Sequence, residues 1–130
     1  ENAEKAIARA AKETHAIVRD YTAAPIYFST TSNGAHEWLI EFEQPPADME
    51  RFSEALDREL KELNSDYEAK RYKNIALKLP VVRSLPPGSF QKWLKSKGKL
   101  GGQHKVPRLS NDRKLIEEIY PVAGLENRLF

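Results

Sequence analysis

The chain has 130 residues, 40% hydrophobic and 31% charged, the make-up of one globular domain with a sizeable core. Its formal net charge of +2 is too small for bulk electrostatic adhesion to nucleic acid, and zero cysteines exclude disulfides, thiol nucleophiles and thiolate metal sites. No apolar run reaches membrane-helix length and no signal-peptide pattern opens the chain, so a cytoplasmic setting is expected.

Residues 2–14 are rich in alanine and long charged side chains and read as a helix, with Ala3, Ile7, Ala10 and Ala11 as its apolar stripe. Residues 15–22 and 24–31 read as two strands, centred on Ile17-Val18 and on Ile26-Tyr27-Phe28. Ser32-Asn33-Gly34 is a turn signal, since Asn-Gly accepts the positive φ that a tight hairpin requires. The return strand, 36–43, alternates. Trp38, Ile40 and Phe42 share one face; Glu37, Glu41 and Glu43 share the other, which is expected to be solvated. Leu39 interrupts the acidic face and is expected to pack under something local.

Gln44-Pro45-Pro46 breaks the sheet, and 47–63 forms a helix whose Met49, Phe52, Leu56, Leu60 and Leu63 step by three and four. Its opposite face carries Glu50, Arg51, Glu54, Asp57, Arg58 and Lys61. Asn64 to Asp66 ends this helix and can cap a short second one through Lys73. Residues 76–85 read as a further strand, with Pro80 arguing for an edge or a bulge. After the Pro86-Pro87-Gly88 turn, Ser89 suits the cap of a helix over 90–97 with Phe90, Trp93 and Leu94 inward; Gly98 stops it. Asn111 opens a last helix with Leu115, Ile116 and Ile119 inward, ended by Pro121, and 121–130 is expected to be a flexible tail. The expected fold is α+β: a mostly antiparallel sheet of about four strands with helices packed against it, in one domain over 1–130.

From Gly88 to Lys114 there are eight Lys or Arg residues and one acid, Asp112. Within that stretch, Gly98-Lys-Leu-Gly-Gly-Gln-His-Lys-Val-Pro-Arg108 joins a glycine segment to a stiffened basic tail. Gly101 and Gly102 let the backbone approach a ligand, and Lys105 and Arg108 set positive charge beside it, which suits phosphate. Lys105 is the sharpest candidate, against its plain reading as a solvated loop lysine. Arg108 fits either an anion pair or a salt bridge to an acid of the final helix. Gln103 and His104 could orient a ligand, or sit on the surface. Asp66, Tyr67, Lys70 and Arg71 form either a docking surface for a partner domain or a capped, salt-bridged surface helix. His15, His36 and His104 lack ligand spacing, so no metal site is expected. Glu41 and Glu43 read as solubility charges.

Three segments, Asn64-Ser-Asp-Tyr-Glu-Ala-Lys-Arg71, Leu85-Pro-Pro-Gly-Ser-Phe90 and Gln103-His-Lys-Val-Pro-Arg108, resemble the small C-terminal domain of the auxin-responsive GH-three acyl-acid amido synthetases, most closely bacterial members. The resemblance runs over nearly the whole chain. It implies an adenylate-forming enzyme that uses ATP and Mg2+ to activate a carboxylic acid as an acyl-adenylate, then passes the acyl group to the amine of an amino acid. It also implies that a large N-terminal domain, absent here, holds ATP and the acyl acid, while the small domain swings over it and delivers a lysine, here Lys105. Gln103, His104, Arg108, Gly101 and Gly102 would then contact substrate or nucleotide, and Asp66, Tyr67, Lys70 and Arg71 would meet the N-terminal domain. This fragment alone would be inactive. Plant members carry an Asn-Gln-Tyr-Lys sequence where this chain has Gly102-Gln103-His104-Lys105, so a histidine replaces the aromatic phenol.

Two other readings compete. One is a nucleic-acid-binding module using the basic 92–114 face, although Phe90 and Trp93 are assigned to a core and leave no stacking platform. The other is a stand-alone protein-interaction domain. The expected partners remain the N-terminal adenylation domain and two small molecules, with no nucleic acid and no membrane.

Overall fold

The computed structural model describes residues 2–27, 34–74, 77–98 and 106–125. Helix α1 spans Asn2–Glu13 and buries Ala3, Ala6, Ile7, Ala10 and Ala11, the small side chains that let it lie close to its neighbours. His15 takes a left-handed φ of 59°, and the Gln44 side-chain amide donates to its carbonyl at 2.7 Å. It therefore terminates the helix and does not begin a strand.

Strand β1 is a single run, Ile17–Tyr27, where two strands were expected. It passes through Pro25, which is tolerated because β1 lies at the sheet edge. Strand β2, Gly34–Gln44, pairs with it antiparallel from Tyr27↔Gly34 to Ile17↔Gln44. Gly34 belongs to the strand, and what demands glycine is close approach: a Cβ there would lie 2.3 Å from the Ile26 carbonyl oxygen. Ser32 and Asn33, the rest of the expected turn, lie outside the described residues.

Asp48 opens α2, Met49–Leu63, accepting from the amides of Glu50 at 3.0 Å and Arg51 at 3.4 Å. Asn64 does the same for α3, Ser65–Arg71, through the amides of Asp66 and Tyr67. A 3-10 turn, Tyr72–Asn74, follows. Strand β3, Val81–Leu85, starts just after Pro80 and pairs parallel with β2 from Glu37↔Val81 to Glu41↔Leu85. The fold is α+β as expected, but the sheet has three strands in the order β1-β2-β3 and is mixed. The physical reason is the connection. The two-helix crossover returns the chain to the end where β2 began, and a strand entered that way runs parallel.

Helix α4, Ser89–Ser96, and helix α5, Lys114–Val122, complete the chain. Gly98, at φ 69°, stops α4 as expected. Pro121 sits inside the last turn of α5, and Leu125 donates to the Tyr120 carbonyl at 2.8 Å. Residues 121–125 thus belong to the helix and its cap and not to a tail; 126–130 lie outside the described residues.

Helices α1, α2 and α3 cover one sheet face, where Phe52, Leu56 and Leu60 meet Trp38, Ile40 and Phe42. On the other face Leu39 packs among Phe90, Trp93, Ile116, Ile119 and Tyr120 from α4 and α5. Strand β2 is therefore covered on both sides along most of its length, and of the expected solvated acidic face only Glu43 stays exposed. Glu37 is 0% exposed and Glu41 3%. Such carboxylates must be hydrogen-bonded, and both are. Glu41 accepts from the backbone amides of Gly88 at 2.8 Å and Phe90 at 3.2 Å. It caps α4 in place of Ser89, whose hydroxyl turns back to the Pro86 carbonyl at 2.7 Å. Glu37 accepts from Arg113 at 2.8 Å and from the Tyr120 hydroxyl at 2.6 Å, with Arg83 3.5 Å away. Burial, then the bond to Glu37, push the Tyr120 hydroxyl up to about 12, so it stays protonated and donating.

Glu41→Ala should cost about 2 kcal/mol, the upper range for losing a helix cap. Urea denaturation gives the cost, and amide exchange should rise at Phe90 more than in α2. Equal exchange in both helices would reject Glu41 as the cap.

Candidate functional site

Of the candidate site residues, Gly101, Gly102, Gln103, His104 and Lys105 lie outside the described residues. The segment that follows them is tightly held. Val106 is buried in the α4–α5 core. The Thr22 hydroxyl donates to the Pro107 carbonyl at 2.6 Å. The Ala23 amide donates to the Arg108 carbonyl at 2.9 Å, and the Ser110 amide donates to the Ala23 carbonyl at 3.0 Å. Leu109 thereby forms a parallel bridge with Ala23. Residues 106–110 act as a strap on the outer edge of β1, satisfying backbone groups that an edge strand would otherwise expose.

Arg108 locks the strap by its side chain. It pairs with Asp20 and lies over the Tyr21 ring, 4.6 Å from its centre. Its acidic partner comes from β1 and not from the final helix. Tyr21 in turn lies 5.9 Å from Trp38. Burial raises the Tyr21 hydroxyl pKa, with the Arg108 charge opposing, so it remains a neutral ring under the cation. The sequence reading passed over Asp20, Tyr21 and Thr22. The one available signal was a polar trio inside a stretch read as strand.

The second group of candidates divides. Asp66 pairs with Lys70 at 3.1 Å on the outside of α3, the local pairing that their spacing allows. Tyr67 and Arg71 point inward and are 7% and 8% exposed. Both bind Asp57 of α2, which is 5% exposed and not on a solvated face. Arg71 is bidentate, with Nε 2.7 Å from Oδ1 and Nη2 2.9 Å from Oδ2; the Tyr67 hydroxyl donates to Oδ1 at 2.6 Å. Arg71 also donates to the Leu77 carbonyl at 3.2 Å, fixing the chain that leads to β3. Burial alone would raise the Asp57 pKa, but the Arg71 and Tyr67 hydrogen bonds overcome it and hold it below the ordinary 3.8. Burial, then the bond to Asp57, push the Tyr67 hydroxyl pKa far up. The spacing 67 to 71 puts both side chains on one helix face, and α2 covers that face.

The basic face is partly neutralised within the domain. Lys97 pairs with Glu118 at 3.0 Å and Arg113 with Glu37 at 2.8 Å, besides Arg108 with Asp20. Among the described residues no three His, Asp or Glu side chains gather as a metal centre needs, and no helix is long and apolar enough to cross a membrane.

Two measurements check these assignments. Asp57→Asn should destabilise the domain by about 3 kcal/mol at neutral pH, because Arg71 is left buried without its counter-charge. Since the Asp57 pKa is depressed in the fold, its contribution is present above 3.8 and is lost as pH falls through the lower folded value. The gap between parent and variant in urea should therefore close only below 3.8. Thr22→Val should cost about 1 kcal/mol and speed amide exchange at Ser110 while leaving Phe52 in α2 unchanged. An unchanged Ser110 would mean that the hydroxyl does not hold the strap.

The arrangement has relatives. An AtGH3.15 acyl acid amido synthetase in complex with 2,4-DB superposes with a TM-score of 0.70 at 16% identity, over 98% of this chain and 25% of its own. A second GH3.15 acyl acid amido synthetase structure gives 0.68 at 16% identity, over 91% and 22%. At that identity the likeness concerns the fold, and this chain spans about a quarter of the length of those proteins. No curated protein sequence matches the chain. The sequence model of the GH3 family C-terminal domain does match it, across residues 1–114. That span takes in the three-stranded sheet, helices α1 to α4, the Asp57 cluster and the strap, and the chain belongs to the GH3 family as its C-terminal domain.

Proposed function

We propose that this domain is the mobile lid of an ATP-dependent acyl-acid amido synthetase and that Lys105 is the group it delivers. The observation that carries the reading is the strap. Lys105 immediately precedes Val106, the first residue of a segment fastened to β1 by backbone, hydroxyl and guanidinium contacts. A lysine next in sequence to a fastened segment can be aimed by moving the whole domain. In this reading the larger N-terminal domain binds ATP, Mg2+ and the acyl acid. The acid's carboxylate attacks the α-phosphorus, pyrophosphate leaves, and the Lys105 ammonium stabilises the negative oxygens as the domain closes and water is excluded. The domain then turns, and the amino acid amine attacks the acyl carbon and releases AMP. Gln103, His104, Gly101 and Gly102 lie beside the same anionic group. Arg108 holds the strap, and the exposed Asp66–Lys70 edge of α3 meets the N-terminal domain. Tyr67 and Arg71 keep α3 in shape to do so.

In this reading ATP is held by the N-terminal domain, so the domain alone does not catalyse adenylation. The nucleic-acid reading is weakened because Lys97, Arg108 and Arg113 already have carboxylate partners inside the domain.

In the full-length enzyme Lys105→Ala should slow acyl-adenylate formation by about two orders of magnitude or more. Amide formation from preformed acyl-adenylate should change far less. Pyrophosphate release and single-turnover amide formation separate the two steps. Equal losses in both, or none, would reject the assignment of Lys105.

A further inference from the structure

A cleft of about 490 Å3, within the range of small-molecule sites, opens on the α1–α3 face. The start of α1, the α2–α3 junction and the strap bound it, and the sheet forms its floor. What its polar side chains offer is hydrogen-bond donors. The Asn64 side-chain oxygen already accepts from the amides of Asp66 at 3.0 Å and Tyr67 at 3.1 Å, so its NH2 group is what remains to give. Ser110 brings a hydroxyl and His36 a ring N–H. No Asp or Glu is among the described residues that line the cleft, so no lining carboxylate repels an anion there.

The second observation is charge. Lys70 stands three positions beyond Tyr67 on α3, on the same side of the helix. Its field reaches the cleft: burial first, and then the Lys70 charge, lower the His36 pKa. No acid is among the groups that shift that imidazole. Lys70 also pairs with Asp66 at 3.1 Å, but both side chains are exposed, and an exposed pair is weak enough to share its cation with a second anion. The third observation is an apolar side chain left in water. Leu109 lines the cleft and is 58% exposed, so a hydrophobic body laid over it gains burial.

We propose that this cleft binds a small organic acid, whose carboxylate accepts from Asn64, His36 and Ser110 beside Lys70 and whose apolar body covers Leu109. The site uses none of the residues placed beside the adenylate and goes beyond that reading. Leu109 and Ser110 belong to the strap and Asn64 caps α3, so an occupant ties the strap to the helical face of the domain.

The test uses the 15N-labelled chain, with benzoate as the probe and benzamide as its uncharged counterpart of the same shape. At neutral pH, millimolar benzoate should shift the backbone amides of His36 and Ser110 and the side-chain amide of Asn64 with one common saturation, while the Trp93 indole signal stays still. Benzamide should bind more weakly by about threefold or more. Lys70→Gln, at an exposed position that the fold does not need, should weaken benzoate by a similar factor and leave benzamide unchanged. Leu109→Ala should weaken both probes. Equal affinity for benzoate and benzamide, parent affinity for benzoate in Lys70→Gln, or the absence of a saturable shift each overturns the proposal. So does displacement of benzoate by an equal concentration of inorganic phosphate, which would mean that charge alone is read. Lys105→Ala should leave benzoate binding intact, so failure here is distinguishable from failure of the adenylation reading.

Discussion

Burying two carboxylates on the central strand is the constraint that organises this domain. Glu37 and Glu41 lie on the same face of β2, beneath α4 and α5, in surroundings where an unpaired charge would be prohibitive. Each takes its shortest hydrogen bonds from one helix and that helix's N-cap residue. Glu41 gathers the opening amides of α4, and Glu37 gathers Arg113 and Tyr120 of α5. Apolar packing alone would let these helices slide over the sheet, because the hydrophobic effect is non-directional. Hydrogen bonds to a fixed carboxylate set their position. Arg113 adds a bond to the Pro25 carbonyl at 3.0 Å, so a single side chain joins α5 to both β1 and β2.

The opposite face repeats the device with a different acid. Asp57, under α3, takes Arg71 and Tyr67, and Arg71 carries the link on to Leu77 and the approach to β3. The crossover that makes β3 parallel is thus fastened midway by a buried ion pair. The benefit of such pairs lies in specifying geometry, since pairing little more than offsets the desolvation of both ions.

Much of the local structure was legible in the residues. The stripe in α1, the three-and-four stepping of α2, the Asn64 cap and the Gly98 stop each follow from short-range geometry and appear in the fold. Leu39 was informative too: one leucine among three glutamates implied that something covers that face, and the α4–α5 core does. The same clue bore on Glu37 and Glu41, but alternation assigns acids to water by default. Nothing near them in sequence reveals that Arg113, 76 positions away, will neutralise one of them. Asp57 was misplaced for the same reason, on a helix whose outer face is otherwise charged. The basic tail of the strap was visible, and its anchors were not, because Thr22 and Pro107 are separated by 85 positions.

By itself, the sequence determined the α+β class, most helix boundaries, the apolar faces and the family resemblance. These rest on propensity, periodicity and spacing within a few residues, or on runs of residues read directly. Only the tertiary structure decided that β3 is parallel, that three acids are interior, that Tyr67 and Arg71 face inward and that the strap is sewn to β1. Each of those outcomes depends on groups distant in the chain meeting where water is excluded, and the strength of a charge or a hydrogen bond there is set by that enclosure.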